Sequence, residues 1–159
     1  MLGNTIKRKV HQIIKKYKTR DPFELVTLLD VILLYVPLVD IKGFYNYYNN
    51  THIIYINENM SRDEQRITLA HELGHLFLHK DINVFFLNTA TFFSSQKLER
   101  EADIFASELL ISDKDILRNG EMTTRKLASL LRVSEKHIIY KFNNLEGVLR
   151  NEQSYKICR

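Results

Sequence analysis

Apolar residues recur three or four positions apart from Ile6 through Val10, Ile13, Ile14 and Tyr17, the spacing of one helical face over residues 5–18. Asp21-Pro22-Phe23-Glu24 reads as a second helix start. Asp21 sits at the N-cap, Pro22 at the first helical position, and Glu24 three residues on closes a capping box. That helix is expected to run to about Asp30. The helical period is then lost. Val31 to Val36 is an unbroken apolar run that reads as a buried strand. Residues 43–48 and 51–56, rich in aromatic and β-branched side chains, flank Asn49-Asn50, a pair that tolerates positive φ, so a hairpin is expected. Ser61-Arg62-Asp63-Glu64 is another capping box, opening a helix through Ile67, Leu69, Ala70, Leu73, Leu76 and Phe77. A further helix covers Leu98 to Leu110, and Ser112 to Leu149 reads as three short ones. The expected fold is α+β, a small antiparallel sheet of about three strands packed on a mainly helical body.

Length and composition narrow this little further. A chain of 159 residues is the size of one domain and buries roughly 70% of its unfolded surface. One domain over 1–159 is expected, with helices and sheet in 1–60, a helical pair in 61–111 and a helical C-terminal part in 112–159. Hydrophobic and charged fractions of 45% and 26% exclude collagen-like and disordered classes. The lone Cys158 excludes a disulfide-stapled secreted fold. No secretory signal is seen, and Leu25 to Val39, broken by Asp30 and Pro37, is too short to span a bilayer. A soluble, cytoplasmic chain with no membrane partner is expected. The net charge of +4 is uneven: residues 1–20 hold seven Lys or Arg and no acid, while residues 21–110 hold 13 acids against 6 bases. The basic arm is read as a solvated helix face rather than a nucleic-acid contact.

The chemistry lies in His71-Glu72-Leu73-Gly74-His75, inside the helix that Ser61 opens. Positions i and i+4 share a helix face, so both imidazoles can converge on one Zn²⁺, with Glu72 beside it to take a proton from water. Gly74 removes a side chain and lets a neighbouring element approach. A catalytic zinc site needs a third protein ligand. Position 78 is Leu and 81 is Asp, so the metzincin arrangement is absent. His79 points past a metal shared by His71 and His75 and is read as a structural or surface residue; Asp81 would need the helix to fold back sharply. In the helix from Leu98, Glu99 lies at the edge of the buried stripe beside Ala102 and Ala106, with Asp103 one turn on, whereas Glu101 points about 200° away as a solvated carboxylate. Glu99 is thus the candidate third ligand, and Asp103 the acceptor for a ligand histidine N–H.

Residues 66–79 (RITLAHELGHLFLH), with Leu98-Glu99 through Ala102, Phe105-Ala106 and Leu109-Leu110, and the Ile-Asn-Glu-Asn run at 56–59, resemble the ImmA/IrrE metallopeptidases. The likeness is greatest to the ImmA-type anti-repressor proteases of mobile elements and prophages. It implies a zincin-like two-helix site with His71, His75 and Glu99 as zinc ligands and Glu72 as general base. It also implies a substrate, a helix-turn-helix repressor cut at one site. An exposed hairpin edge beside the metal helix could hold an extended peptide by strand addition, or be blunted by charge or by the N-terminal helix. Thr123 to Tyr140 has the hydrophobic skeleton of a helix-turn-helix, but packing or repressor recognition is favoured over reading DNA. The alternative function is a DNA-binding or sensory regulator whose metal is structural.

Overall fold

The computed structural model describes residues 2–80 and 92–145. The elements run α1 (Leu2–Tyr17), α2 (Pro22–Leu28), β1 (Ile32–Val36), β2 (Gly43–Tyr48), β3 (Thr51–Asn57), α3 (Arg62–Leu78), α4 (Phe92–Leu110), α5 (Asp113–Arg118), α6 (Thr124–Leu131) and α7 (135–145). Mainly helical with one three-stranded sheet, this is the expected α+β class. Asp81 and Cys158 lie outside the described residues.

Ile6, Val10 and Ile13 bury the apolar face of α1, while Arg8, Lys9, Lys15 and Lys16 stay solvated. Two cations of the basic arm are used inside. Lys7 is buried and meets Asp113 at 2.7 Å, and the Arg20 guanidinium donates to the carbonyls of Glu108 and Leu109 at 2.9 and 3.1 Å. Arg20 thereby satisfies carbonyls that the end of α4 leaves without helical partners. Asp21 caps α2 through the Phe23 N–H at 2.9 Å, but the expected capping box is not formed: the Asp21 N–H is taken by Thr19 Oγ1 instead of Glu24.

The sheet order is β1-β3-β2. Asn49 and Asn50 take φ of 48° and 60°, so the β2–β3 hairpin turns with two left-handed residues as expected. β1 pairs parallel with β3, which makes the sheet mixed rather than wholly antiparallel. The cause is the path of residues 37–42, which carry the chain across the end of β3 before β2 begins. Asn57 clamps that crossing: its side-chain amide donates to the carbonyls of Leu38 and Ile41, and its N–H to that of Lys42. β1 is also an edge, not the buried strand its apolar run suggested; Ile32, Leu34 and Tyr35 are exposed, and the fully buried strand residues are Ile54 and Ile56 of central β3.

The capping box of α3 is present, with Ser61 Oγ accepting from the Glu64 N–H and Glu64 returning to the Ser61 N–H at 3.0 Å. α3 lies against the sheet on one side and α4 on the other, through Leu69, Leu73, Phe105 and Leu109. A Cβ on Gly74 would stand 2.9 Å from Ala102 Cα, so the two helices meet backbone to backbone at this point. α5–α7 share a second apolar cluster, Ile111, Ile116, Leu127, Ala128, Val133 and Ile138, against which Ile67 of α3 packs. Arg66 of α3 donates to the carbonyls of Leu131 and Arg132, at the turn between α6 and α7. Among the described residues no helix is long and apolar enough to cross a membrane.

Candidate metal centre

The close crossing at Gly74 sets the site. α3 carries His71, Glu72 and His75, with His71 and His75 turned toward α4, and α4 carries Glu99, Glu101 and Asp103. The Nε2 atoms of His71 and His75 are 3.0 Å apart; Glu99 Oε2 is 3.2 Å from the first and Glu99 Oε1 3.3 Å from the second. Ligand atoms at about 2.0–2.1 Å around a tetrahedral zinc would be separated by roughly 3.3 Å, so the three groups fit one such ion. The chemistry of the donor set fits too. Hydrogen bonds from His71 and then His75 hold the Glu99 carboxyl far below the usual carboxylate range. Burial pulls the His71 imidazole down, but hydrogen bonds to Asp103 and Glu99 outweigh it and push it up to about 10. The cluster demands positive charge, which a divalent cation supplies to all three groups at once.

Each histidine is held from behind. His71 Nδ1 faces Asp103 Oδ1 at 3.1 Å, and Lys136 of α7 donates to Asp103 Oδ2 at 2.8 Å. Burial pushes the Asp103 carboxyl up, but the His71 and Lys136 bonds outweigh it and leave it lowered. His75 Nδ1 meets His79 Nδ1 at 3.1 Å, and His79 Nε2 meets Glu101 Oε2 at 2.8 Å. One open reading is decided here and one is corrected. Of the structural and surface readings of His79 the structural one holds: it is 3% exposed and touches His75, because α3 ends at Leu78 and His79 leaves the helical path with φ −128°. Glu101 is no solvated carboxylate, because the side of α4 that carries it faces the end of α3; its side chain is 13% exposed.

Glu72 is buried beside this cluster. Burial, with the Glu99 charge adding, pushes its carboxyl up to about 7 against the opposing pull of His71 and a hydrogen bond from the Tyr45 backbone. A group that changes charge near neutral pH can both take and return a proton. The centre opens into a cleft of about 710 Å³. Ile41, Lys42 and Gly43 at the start of β2 form one wall, α3 the floor, and Val133, Ser134, Lys136 and His137 the wall opposite. His137 is buried; its Nδ1 meets Ser134 Oγ at 2.6 Å, and its Nε2 has no partner among the described residues.

The structure therefore brings together every residue that the motif reading singled out, His71, Glu72, His75, Glu99 and Asp103. It adds His79, Glu101, Lys136 and His137. The first two were visible as a third histidine one turn past His75 and a second glutamate two after Glu99. The pair on α7 carried no local signal.

The model of the IrrE N-terminal-like domain, a peptidase family, matches residues 28–143. Immunity region protein 2 of Bacillus phage phi105 is 39% identical over 126 residues, 77% of this chain and 80% of that protein. Metallopeptidase ImmA of Bacillus subtilis (strain 168) is 37% identical over 111 residues, 69% of this chain and 64% of its own length. A solved structure, a transcriptional regulator of Mycobacterium tuberculosis, shares the fold with a TM-score of 0.59 at 12% identity; the likeness spans 86% of this chain and 46% of that one.

Proposed function

The chain belongs to the IrrE N-terminal-like family of metal-dependent peptidases, and from that premise we propose that it is a zinc endopeptidase that cuts a helix-turn-helix transcriptional repressor at one site, an anti-repressor. The observation that carries the reading is the convergence of His71, His75 and Glu99 on one point of the cleft floor, beside the buried carboxyl of Glu72. His71, His75 and Glu99 are the ligands. Zinc bound there would acidify water and polarise the scissile carbonyl. Glu72 is the general base: it takes the proton of the attacking water and returns it to the leaving amine, and the Tyr45 N–H orients its carboxylate. Asp103 accepts the Nδ1–H of His71 and so directs Nε2 toward the ion.

The substrate enters as an extended segment. β2 is an outer strand of the sheet, its first residue Gly43 and the two before it line the cleft, and the backbone of Tyr45 reaches Glu72. A peptide added along that edge would lay its backbone across the ligands. The likeness to a phage immunity region protein and to ImmA supports a repressor as the protein that is cut.

Metal content tests the centre. Elemental analysis of the purified chain is expected to find one zinc per chain, and no zinc after it is offered at neutral pH overturns the proposal. The chemistry is tested by co-expression with each helix-turn-helix repressor encoded beside it. The wild type is expected to cut one of them once and Glu72→Gln, with its zinc retained, to cut none. Cleavage by that variant removes Glu72 as the base.

A further inference from the structure

We infer that Glu101 and His79 are positioning residues that fix the protonation pattern of His75 from two side chains away, a role that rests on the metal-centre reading above. His75 turns Nε2 toward His71 and Glu99, at 3.0 and 3.3 Å. For that nitrogen to offer a lone pair, the ring proton must sit on Nδ1. The partner of Nδ1 is His79 Nδ1 at 3.1 Å, so one of these two nitrogens donates and the other accepts. A proton on His75 Nδ1 makes His79 Nδ1 the acceptor and places the His79 proton on Nε2. There it meets Glu101 Oε2 at 2.8 Å, an oxygen that when ionised can only accept.

The order therefore runs one way, from the carboxylate through His79 to the lone pair of His75. Reversing it would put the His79 proton on Nδ1, against the Nδ1–H of His75. Burial makes the order strict: His75 and His79 are each 3% exposed, so water has little room to act as a substitute partner. Lys97 lies 3.8 Å from the other oxygen of Glu101 but is 69% exposed, and it adds little to the arrangement. His71 differs, since its carboxylate partner is direct and is held by a lysine of α7. The two ligand histidines are thus oriented by separate chains of groups, one ending inside the α3–α4 pair and one tied to the C-terminal helices.

The test is the proton position itself, read by long-range ¹H–¹⁵N NMR of histidine-labelled protein in the zinc-loaded chain. Wild type is expected to carry the proton on Nδ1 of His75 and on Nε2 of His79; a proton on Nδ1 of His79 overturns the inference. Glu101→Leu, which has no acceptor, is expected to release the His79 proton to both nitrogens. Its zinc affinity, measured by chelator competition, is expected to fall roughly 10- to 100-fold. His71 should keep its Nδ1 proton in that variant, and the thermal midpoint of the zinc-free chain should stay near wild type. Glu101→Gln restores an acceptor oxygen and is expected to recover most of the affinity. Unchanged affinity in Glu101→Leu, or loss in both variants with an unchanged His79 proton, overturns the inference. Failure of the wild type to take up zinc would instead count against the metal centre, and the His79 proton read in the zinc-free chain would still decide the order proposed here.

Discussion

Glu99→Ala removes the one carboxylate among the three converging groups, while Asp103→Ala removes a carboxylate that meets the back of His71 and the Lys136 ammonium and is not one of the three. The two should differ in degree. Losing Asp103 frees the His71 ring and should weaken zinc binding roughly 10- to 100-fold; losing Glu99 takes a ligand and should weaken it further. Chelator competition on both variants orders them, and a larger loss in Asp103→Ala would overturn the assignment. His137 gives a pH signature of its own. Burial pulls its imidazole down from 6.5 to about 4, so it stays neutral in the fold while the unfolded chain protonates it below 6.5. The unfolded state then binds the extra proton, and stability that is full above 6.5 falls as pH drops toward 4, by up to ~1.4 kcal/mol per pH unit. Urea unfolding at pH 7 and pH 5 should show a smaller acid loss in His137→Gln than in wild type; equal losses would refute the account. His71, Glu72 and His75 were legible in the sequence because a helix encodes their convergence locally, in i, i+4 spacing. Glu99 and Asp103 were legible because a small-residue stripe says which side of α4 meets α3. The position of His79 was not, because extrapolating the helix past Leu78 puts its ring one turn along instead of back against His75.

At the scale of elements, the α3–α4 crossing decides whether His71, His75 and Glu99 meet. Gly74→Ala would place a methyl 2.9 Å from Ala102 Cα and 3.1 Å from its carbonyl oxygen, backbone atoms that can yield only by moving a helix. Overpacking of this kind costs about 1–3 kcal/mol. Here it should also spread the pair that carries His71, His75 and Glu99. The variant is expected to unfold at lower urea and to bind zinc more weakly, and wild-type values in both measurements would show that the crossing tolerates a methyl. The capping box at Ser61 and the Asn49-Asn50 turn were readable because their bonds close within a few residues. The pairing of β1 was not. Its apolar run fits an interior strand as well as an edge, and its direction depends on how residues 37–42 cross the end of β3 under the clamp of Asn57, a contact between separate segments.

At the scale of the whole molecule, the C-terminal helices are built into the metal site and are not a free recognition module. Lys136 spends its ammonium on Asp103, His137 is buried in the cleft wall, and Arg66 ties the α6–α7 turn to α3. A helix-turn-helix that reads DNA must turn the start of its second helix to the major groove; here the start of α7 meets Asp103 and lines the cleft. The chain is therefore expected to leave duplex DNA unshifted at low salt, and a salt-dependent shift lost on neutralising Arg125, Lys126, Arg132 and Lys136 would restore the regulator reading. A buried ion cluster holds the same unit in place. Lys141 of α7 and Glu108 of α4 are both fully buried and 2.5 Å apart; Asn144 also donates to Glu108, and Lys141 reaches Asp113, which Lys7 of α1 meets from the other side. Lys141→Met removes the cation and strands the Glu108 carboxylate, a change expected to cost about 3–5 kcal/mol. Glu108→Gln in the same chain removes the stranded charge and keeps an acceptor for Asn144, so the double variant should regain part of that loss. Urea unfolding of the single and double variants decides it. A double variant no more stable than Lys141→Met would mean that the cost comes from the lost Lys141–Asp113 contact and not from the unpaired Glu108 charge.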